Sequence, residues 1–313
     1  MRVVITGGAG FIGANLARTM TDCGMDVVVV DNLSTGSRSN LDGVNVHFLE
    51  GSILDSMGLD EAFAGADAVV HLAAIPSVPR SLLDPLASHH ANATGTLEVL
   101  EAVRRAGGPH VVVASSSSVY GANPVMPKHE GMRTAPLSPY AVSKLATEAY
   151  AIAYCHSFGL DVLPFRFFNV FGPLQAAGHA YAAVIPAFVD AALSGRAIPV
   201  HGDGSQTRDF TYVGSVARVI TEAVERRVTS SEPVNLAFGG RTSLNELIGL
   251  LEQILGHQVE RETIPPRAGD VPHSQADCGR LTSLFPGLEP VTLEDGVRTT
   301  VQWFEETSQS ARI

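Results

Sequence analysis

Short, almost unbroken apolar runs alternate along the first half of the chain with longer stretches in which apolar residues recur every three or four positions. The runs Arg2–Thr6, Val27–Asp31, Val46–Glu50, Ala68–Leu72, Val111–Ser115 and Val162–Phe168 predict strands. Their near-continuous apolar character indicates burial on both faces, since a strand with one wet face alternates apolar with polar. Helical periods fall between them, over 11–23, 92–106 and 138–157. This alternation predicts an α/β fold with a doubly wound parallel sheet and right-handed crossovers.

After Asn169 the pattern loosens. GPLQAAGHA (172–180) and VHGDGSQTRDF (200–210) read as loops, and Pro173, Pro186, Pro199, Pro265, Pro266 and Pro272 punctuate the second half. A short strand near Val234–Phe238 and helices near 243–255 and 293–306 complete the chain, with no repeat and no low-complexity tract. The expected organisation is a sheet domain over 1–168 plus about 210–238, with a smaller interwoven C-terminal subdomain over 169–209 and 239–313.

Composition narrows the function classes. The 313 residues are 45% hydrophobic and 17% charged, an ordinary globular balance. A net charge of −11 disfavours nucleic acid and anionic membrane surfaces as partners, because a field of that sign repels both. Cys23, Cys155 and Cys278 are odd in number and widely spaced, which suits a reducing compartment better than a disulfide framework. The eleven histidines show no metal-ligand spacing; His89 and His90 are adjacent and would point about 100° apart on a helix. The start, MRVVITGGAG, enters structure directly and lacks signal-peptide character, and no apolar run nears the roughly 18 residues that span a bilayer. The expectation is a soluble cytoplasmic protein without a metal.

TGGAGFIG (6–13) follows the first strand and opens the first helix. Gly7 suits the tight turn, Gly10 lets backbone approach a pyrophosphate, and Gly13 lets the helix pack closely. The helix N-terminus adds free N–H groups and partial positive charge. Asp31, at the end of the second strand, can accept hydrogen bonds from a ribose hydroxyl and would repel a 2′-phosphate. Together these features predict a Rossmann-type site for NAD.

SPYAVSKLATEAY (138–150) carries Tyr140 and Lys144 at i and i+4, on one helix face. Ser138 and Pro139 suit the N-cap and first turn, so the pair should stand at the helix entrance. The serine cluster of ASSSSVYGANP (114–124) ends the preceding strand, at the carboxyl edge where ligands bind. With HLAA (71–74), RFFNVFGP (166–173), GDGSQTRDF (202–210) and RAGDVPHSQAD (267–277), the chain resembles the extended short-chain dehydrogenases/reductases that act on nucleotide-sugars. Within them it is most similar to the UDP-hexose 4-epimerases. The resemblance implies Ser116, Tyr140 and Lys144 as the catalytic trio. It also implies a tightly held NAD contacted by Gly7, Gly10, Phe11, Ile12 and Gly13, and by Asp31, Asn32, Ser34 and Gly36 of DNLSTG. Ser52 and Ile53, then Leu72, Ala73 and Ala74, and finally Phe167 complete the cofactor set. Ser52 departs from the pattern, since relatives usually place an Asp there against adenine.

The trio's chemistry is readable apart from the resemblance. A free tyrosine, with pKa near 10, is a poor base at neutral pH; the Lys144 ammonium and a positive nicotinamide ring should both lower it. Tyr140 would then take the proton of a sugar 4-hydroxyl, with Ser116 on the same oxygen. In the resembling family, the two positions before Val-Tyr-Gly carry acids in enzymes that eliminate or decarboxylate after a 4-ketone forms. Here they are Ser117 and Ser118, neither a competent acid or base alone, so reversal at C4 is the expected outcome. The resemblance further implies Ser77, Val78, Asn169, Arg208, Arg267, Asp270 and Ser274 as substrate contacts. Ser274 stands where some relatives have a bulky tyrosine, leaving room for an N-acetyl group. UDP-GlcNAc/UDP-GalNAc and UDP-glucose/UDP-galactose are the leading substrates, with UDP-glucuronate also open. The resemblance implies a homodimer.

Overall fold

The computed structural model describes residues 1–177, 182–265 and 273–310. Six strands, β1 (Arg2–Thr6), β2 (Asp26–Asp31), β3 (His47–Glu50), β4 (Ala68–His71), β5 (His110–Ser116) and β6 (Val162–Phe167), are joined by a seventh, Val234–Leu236. They form one sheet in the order β3-β2-β1-β4-β5-β6 followed by Val234–Leu236, and every neighbouring pair is parallel. This is the doubly wound Rossmann-like sheet expected from the apolar runs.

Those runs are continuous because successive side chains enter two different cores. Val3, Ile5, Val27, Val29 and Val70 pack against α1 (Phe11–Asp22) and the helix Val213–Glu225. Val4, Val28, Val69, Val111 and Val113 meet the helices Ser56–Phe63, Gly95–Arg105 and Pro139–Phe158 on the other face. The edge strand β3 is the exception, being largely exposed. A third cluster, including Phe171, Phe188, Ile198, Leu247 and Val301, unites the helices Val184–Leu193, Leu244–Leu255 and Leu293–Ser310.

The structure differs from the sequence pattern at several helices. Ser56–Phe63 and Val213–Glu225 are regular helices that the pattern did not single out, although Val213, Val216, Ile220 and Val224 carry the helical period. The expected helix over 92–106 is entered through a π turn, His90–Thr94, before Gly95–Arg105 becomes α-helical. Asn92, within that turn, explains the distortion. Its Oδ1 accepts from the Ile75 amide at 2.8 Å and its Nδ2 donates to Ser143 Oγ at 2.9 Å, tying three segments together.

A buried ion pair fixes the spacing between the sheet and the helix Pro139–Phe158. Arg166 on β6 donates to Glu148 through Nη2 at 2.6 Å and Nε at 3.0 Å, and Ser115 Oγ donates to the same carboxylate at 2.7 Å. Ser115 thus serves the framework, as a hydroxyl that satisfies a buried charge.

Candidate active site

β1 leads towards β2 on one side and β4 towards β5 on the other, so the strand order reverses between Thr6 and His71. Loops diverge at such a switch point and leave a crevice at the carboxyl ends of the strands. A cavity of about 830 Å³ opens here. Gly7 has φ +72°, and a Cβ on it would lie 2.6 Å from the Ala73 nitrogen, so the turn and the loop after β4 touch backbone to backbone. A Cβ on Gly13 would fall 2.3 Å from the Gly7 carbonyl oxygen. At Gly10, on the wall of the cavity, the nearest described atom to such a Cβ beyond the chain neighbours is the Gly7 oxygen, at 3.2 Å. No side chain caps α1, and Phe11, Ile12 and Gly13 of its first turn line the same wall. An uncapped helix start with a side-chain-free approach is what a diphosphate requires.

Asp31 ends β2 with both oxygens anchored: Oδ2 accepts from the Ala9 amide at 3.0 Å and Oδ1 from the Leu33 amide at 2.8 Å. Its carboxylate is held against the glycine turn and lines the cavity. Ser52 also lines it, with Oγ accepting from the Leu54 amide at 3.2 Å.

At the other end, β5 delivers Ser116 and the helix Pro139–Phe158 delivers Tyr140 and Lys144. Ser138 caps that helix by accepting from the Ala141 amide, and Pro139 occupies its first position, which places the pair at the entrance. Ser116 Oγ accepts from the Ser118 amide at 3.2 Å. That bond leaves the hydroxyl proton unused, and the same hydroxyl lies in hydrogen-bonding reach of Tyr140. Burial pushes the Tyr140 phenol above its ordinary value, while the Ser116 hydroxyl pulls it down. Lys144 Nζ donates to the Ala114 carbonyl at 2.9 Å, and burial lowers its pKa to about 8. Desolvation drives both groups towards their neutral forms, and Lys144 is not among the influences on Tyr140.

The model of the NAD dependent epimerase/dehydratase family matches residues 3–237. The chain belongs to this family. It is 36% identical to a UDP-glucose 4-epimerase of Mycolicibacterium smegmatis, over 99% of this chain and all of that one. It superposes with a TM-score of 0.93, at 35% identity and 98% coverage of both chains, on the UDP-N-acetylglucosamine 4-epimerase of Methanobrevibacter ruminantium, solved with UDP-N-acetylmuramic acid. A UDP-N-acetyl-alpha-D-glucosaminuronate decarboxylase of Bacillus cytotoxicus is 33% identical, over 97% of this chain and 98% of its own.

As a member of this family, the protein is an enzyme that uses NAD. The cleft fits that cofactor: an uncapped helix start, a side-chain-free approach at Gly10 and an acid ending β2 stand along one wall. Every residue that the sequence assigned to NAD, from Gly7 to Phe167, lines this cavity. So do Ser116, Ser77 and Asn169. Val78, Ser117, Ser118, Arg208 and Ser274 do not, while Arg267 and Asp270 lie outside the described residues. After Ser116 the chain winds into a 3₁₀ turn over Ser117–Tyr120, carrying both hydroxyls off the cavity wall, and Ser118 Oγ is buried without a partner. Arg208 donates to the neighbouring Thr207 carbonyl, and Ser274 gives its amide to the same oxygen.

Sequence reasoning missed Thr35, Ile75, Arg80, Gln175 and Trp303, all of which line the cavity. Gln175 donates from Nε2 to the Val170 carbonyl at 3.1 Å and leaves its buried Oε1 without a partner. It sits in a stretch read only as loop. Trp303 arrives on the C-terminal helix, and no local signal marks it. The His71 ring also does more than expected: Nδ1 hydrogen-bonds to Thr6 Oγ1 at 2.8 Å and Nε2 to Thr96 Oγ1 at 3.0 Å.

Proposed function

We propose that the protein is a UDP-sugar 4-epimerase, with UDP-N-acetylhexosamines and UDP-hexoses as its leading substrates. The observation that carries this reading is the charge inventory of the cleft. Among its described lining residues the charged groups are Asp31, Arg80 and Lys144. Asp31 is the sole carboxylate and stands three strands from β5, roughly 14 Å away at about 4.8 Å per strand. Among the described lining residues, Ser116, Tyr140 and Lys144 thus bring together a hydroxyl, a phenol and an amine, with no acid for elimination. Without such an acid, a 4-ketone of a neutral sugar formed here is expected to be reduced back at C4.

Bound NAD supplies the reversible two-electron oxidation at C4. Tyr140 takes the proton from the 4-hydroxyl and later returns it to the 4-oxygen. Ser116, its acceptor capacity engaged by the Ser118 amide, donates to that oxygen and steadies it as negative charge develops. Lys144 adds a nearby positive charge whenever it is protonated. Gln175 offers a fixed acceptor, suited to a sugar hydroxyl or to the N–H of a 2-acetamido group. The similarity to a UDP-N-acetylglucosamine 4-epimerase and to a UDP-glucose 4-epimerase supports the substrate class. The similarity to a decarboxylase favours a second reading, loss of a 6-carboxylate from the same 4-ketone.

Proton NMR of the purified protein, incubated without added cofactor with UDP-GlcNAc, UDP-glucose and UDP-glucuronate in turn, separates the readings. The expected result is a new anomeric doublet with galacto couplings, fastest with the true sugar. Accumulation of a 4-keto, 6-deoxy or pentose product would overturn the epimerase assignment.

A further inference from the structure

Arg80, in the stretch SVPRS (77–81), was given no role by the sequence, yet it lies on two cavities at once. Its backbone is fixed: the Arg80 amide donates to Ser77 Oγ at 3.2 Å, capping the short helix Val78–Leu83. The loop before it is held by Asn92 on the Ile75 amide. From this platform Arg80 lines the large cleft and also an adjoining cavity of about 300 Å³, whose walls include Ser34, Thr35, Ile75, Leu83 and Asp84. The Asp84 carboxylate accepts from the Ala87 amide at 2.9 Å and forms no ion pair with Arg80. Arg80 is half-buried, and among the described residues no group hydrogen-bonds or ion-pairs with its guanidinium. A partly desolvated cation without a counter-ion is unfavourable unless a ligand brings the negative charge.

The walls identify that ligand. Ser34 and Thr35 follow Asp31 and precede Gly36, where a Cβ would lie 2.7 Å from Ala9 of the glycine turn. Arg80 therefore faces the segment that serves the dinucleotide. Ser116 and Tyr140, where the sugar reacts, take no part in the smaller cavity. Lys144, the other cation in the cleft, already donates to Ala114. We propose that Arg80 is a binding residue for the diphosphate of NAD, supplying the cationic half of a site whose other half is the α1 amides. A planar guanidinium with several donors suits phosphate oxygens better than an ammonium does.

The test uses Trp303, the chain's single tryptophan and a lining residue of the cleft, as a fluorescence reporter. NAD content of the purified protein is measured first. Affinities of the NAD-depleted protein for NAD, ADP, adenosine and UDP are then compared between wild type, Arg80→Gln and Arg80→Lys. Arg80→Gln is expected to weaken NAD and ADP by about 10- to 100-fold, the scale of a lost charge-assisted hydrogen bond. Adenosine, which lacks the diphosphate, and UDP should change less than about two-fold, and Arg80→Lys should fall between. Unchanged NAD and ADP affinity would overturn the proposal. So would an equal loss for adenosine, which marks a general disturbance of the pocket, or a loss confined to UDP, which moves Arg80 to the substrate. The inference rests on NAD occupying this cleft and not on the sugar, so an unexpected NMR product leaves it standing.

Discussion

Tyr140 and Lys144 stand one turn apart on one helix, and burial acts on them in opposite senses. It raises the phenol and lowers the amine to about 8, favouring the neutral form of each. A base assembled this way stays idle until positive charge arrives beside it, as when the oxidised dinucleotide binds. Ultraviolet titration, taken as the difference between wild type and Tyr140→Phe, isolates one phenol among the six tyrosines. Without NAD it should ionise above 10; with NAD the midpoint should fall by at least about one unit. A midpoint indifferent to NAD would remove Tyr140 as the base. The same variant should lose about 10²- to 10⁴-fold in kcat, the usual contribution of a general base, while keeping its NAD content and melting temperature. At this scale the trio was legible through the family resemblance, because a Tyr-xxx-Lys spacing is common and does not by itself mark a site. The positions of Ser117 and Ser118 were not, since a 3₁₀ turn rather than a strand end decides where those hydroxyls point.

Among the elements, a line of hydroxyls and one imidazole joins the sheet to two helices. Thr6 on β1 and Thr96 on the helix Gly95–Arg105 bond the His71 ring, and Thr96 also meets Thr147 at 3.1 Å. Desolvation, with the Lys144 charge adding to it, lowers the His71 pKa to about 3. The folded protein thus binds fewer protons than the unfolded chain between pH 6.5 and about 3, so stability is fully present above 6.5 and falls as the solution is acidified. The loss attributable to His71 should reach about 2 kcal/mol by pH 5. Chemical denaturation at pH 7 and pH 5 checks this. His71→Gln, which has no proton to gain, should show the shallower pH dependence, and an equal slope in both proteins would refute the assignment. The strands here were readable because doubly buried strands leave uninterrupted apolar runs. The π turn at Asn92 was not, because its cause lies in Ile75 and Ser143, far away in sequence.

For the whole molecule, among the described residues no helix is long and apolar enough to cross a membrane. Apolar side chains nevertheless remain exposed on one helix pair. Val142 and Tyr150 of the helix Pro139–Phe158 are 52% and 39% exposed, and Leu82, Leu83 and Leu86 stand out from the neighbouring helical segments at 63–75%. The family resemblance implies a homodimer formed by the helices over 92–106 and 138–157, and we propose that the exposed side chains of Pro139–Phe158 lie in that interface. Sedimentation should give twice the 33.0 kDa chain mass, and Val142→Asp with Tyr150→Asp should halve it. A monomeric wild type would refute the dimer.

The sheet, its two covered faces, the glycine turn, the acid ending β2 and the pairing of Tyr140 with Lys144 on one helix face were determined by the sequence alone. Each depends on interactions within a few residues or on a regular period. Tertiary structure decided the rest. It turned Ser117 and Ser118 away, brought Gln175, Trp303 and Arg80 to the cleft, and made Asp31 the lone carboxylate among the described lining residues. Those outcomes depend on which distant segments meet and how far water is excluded between them, and no local pattern encodes either.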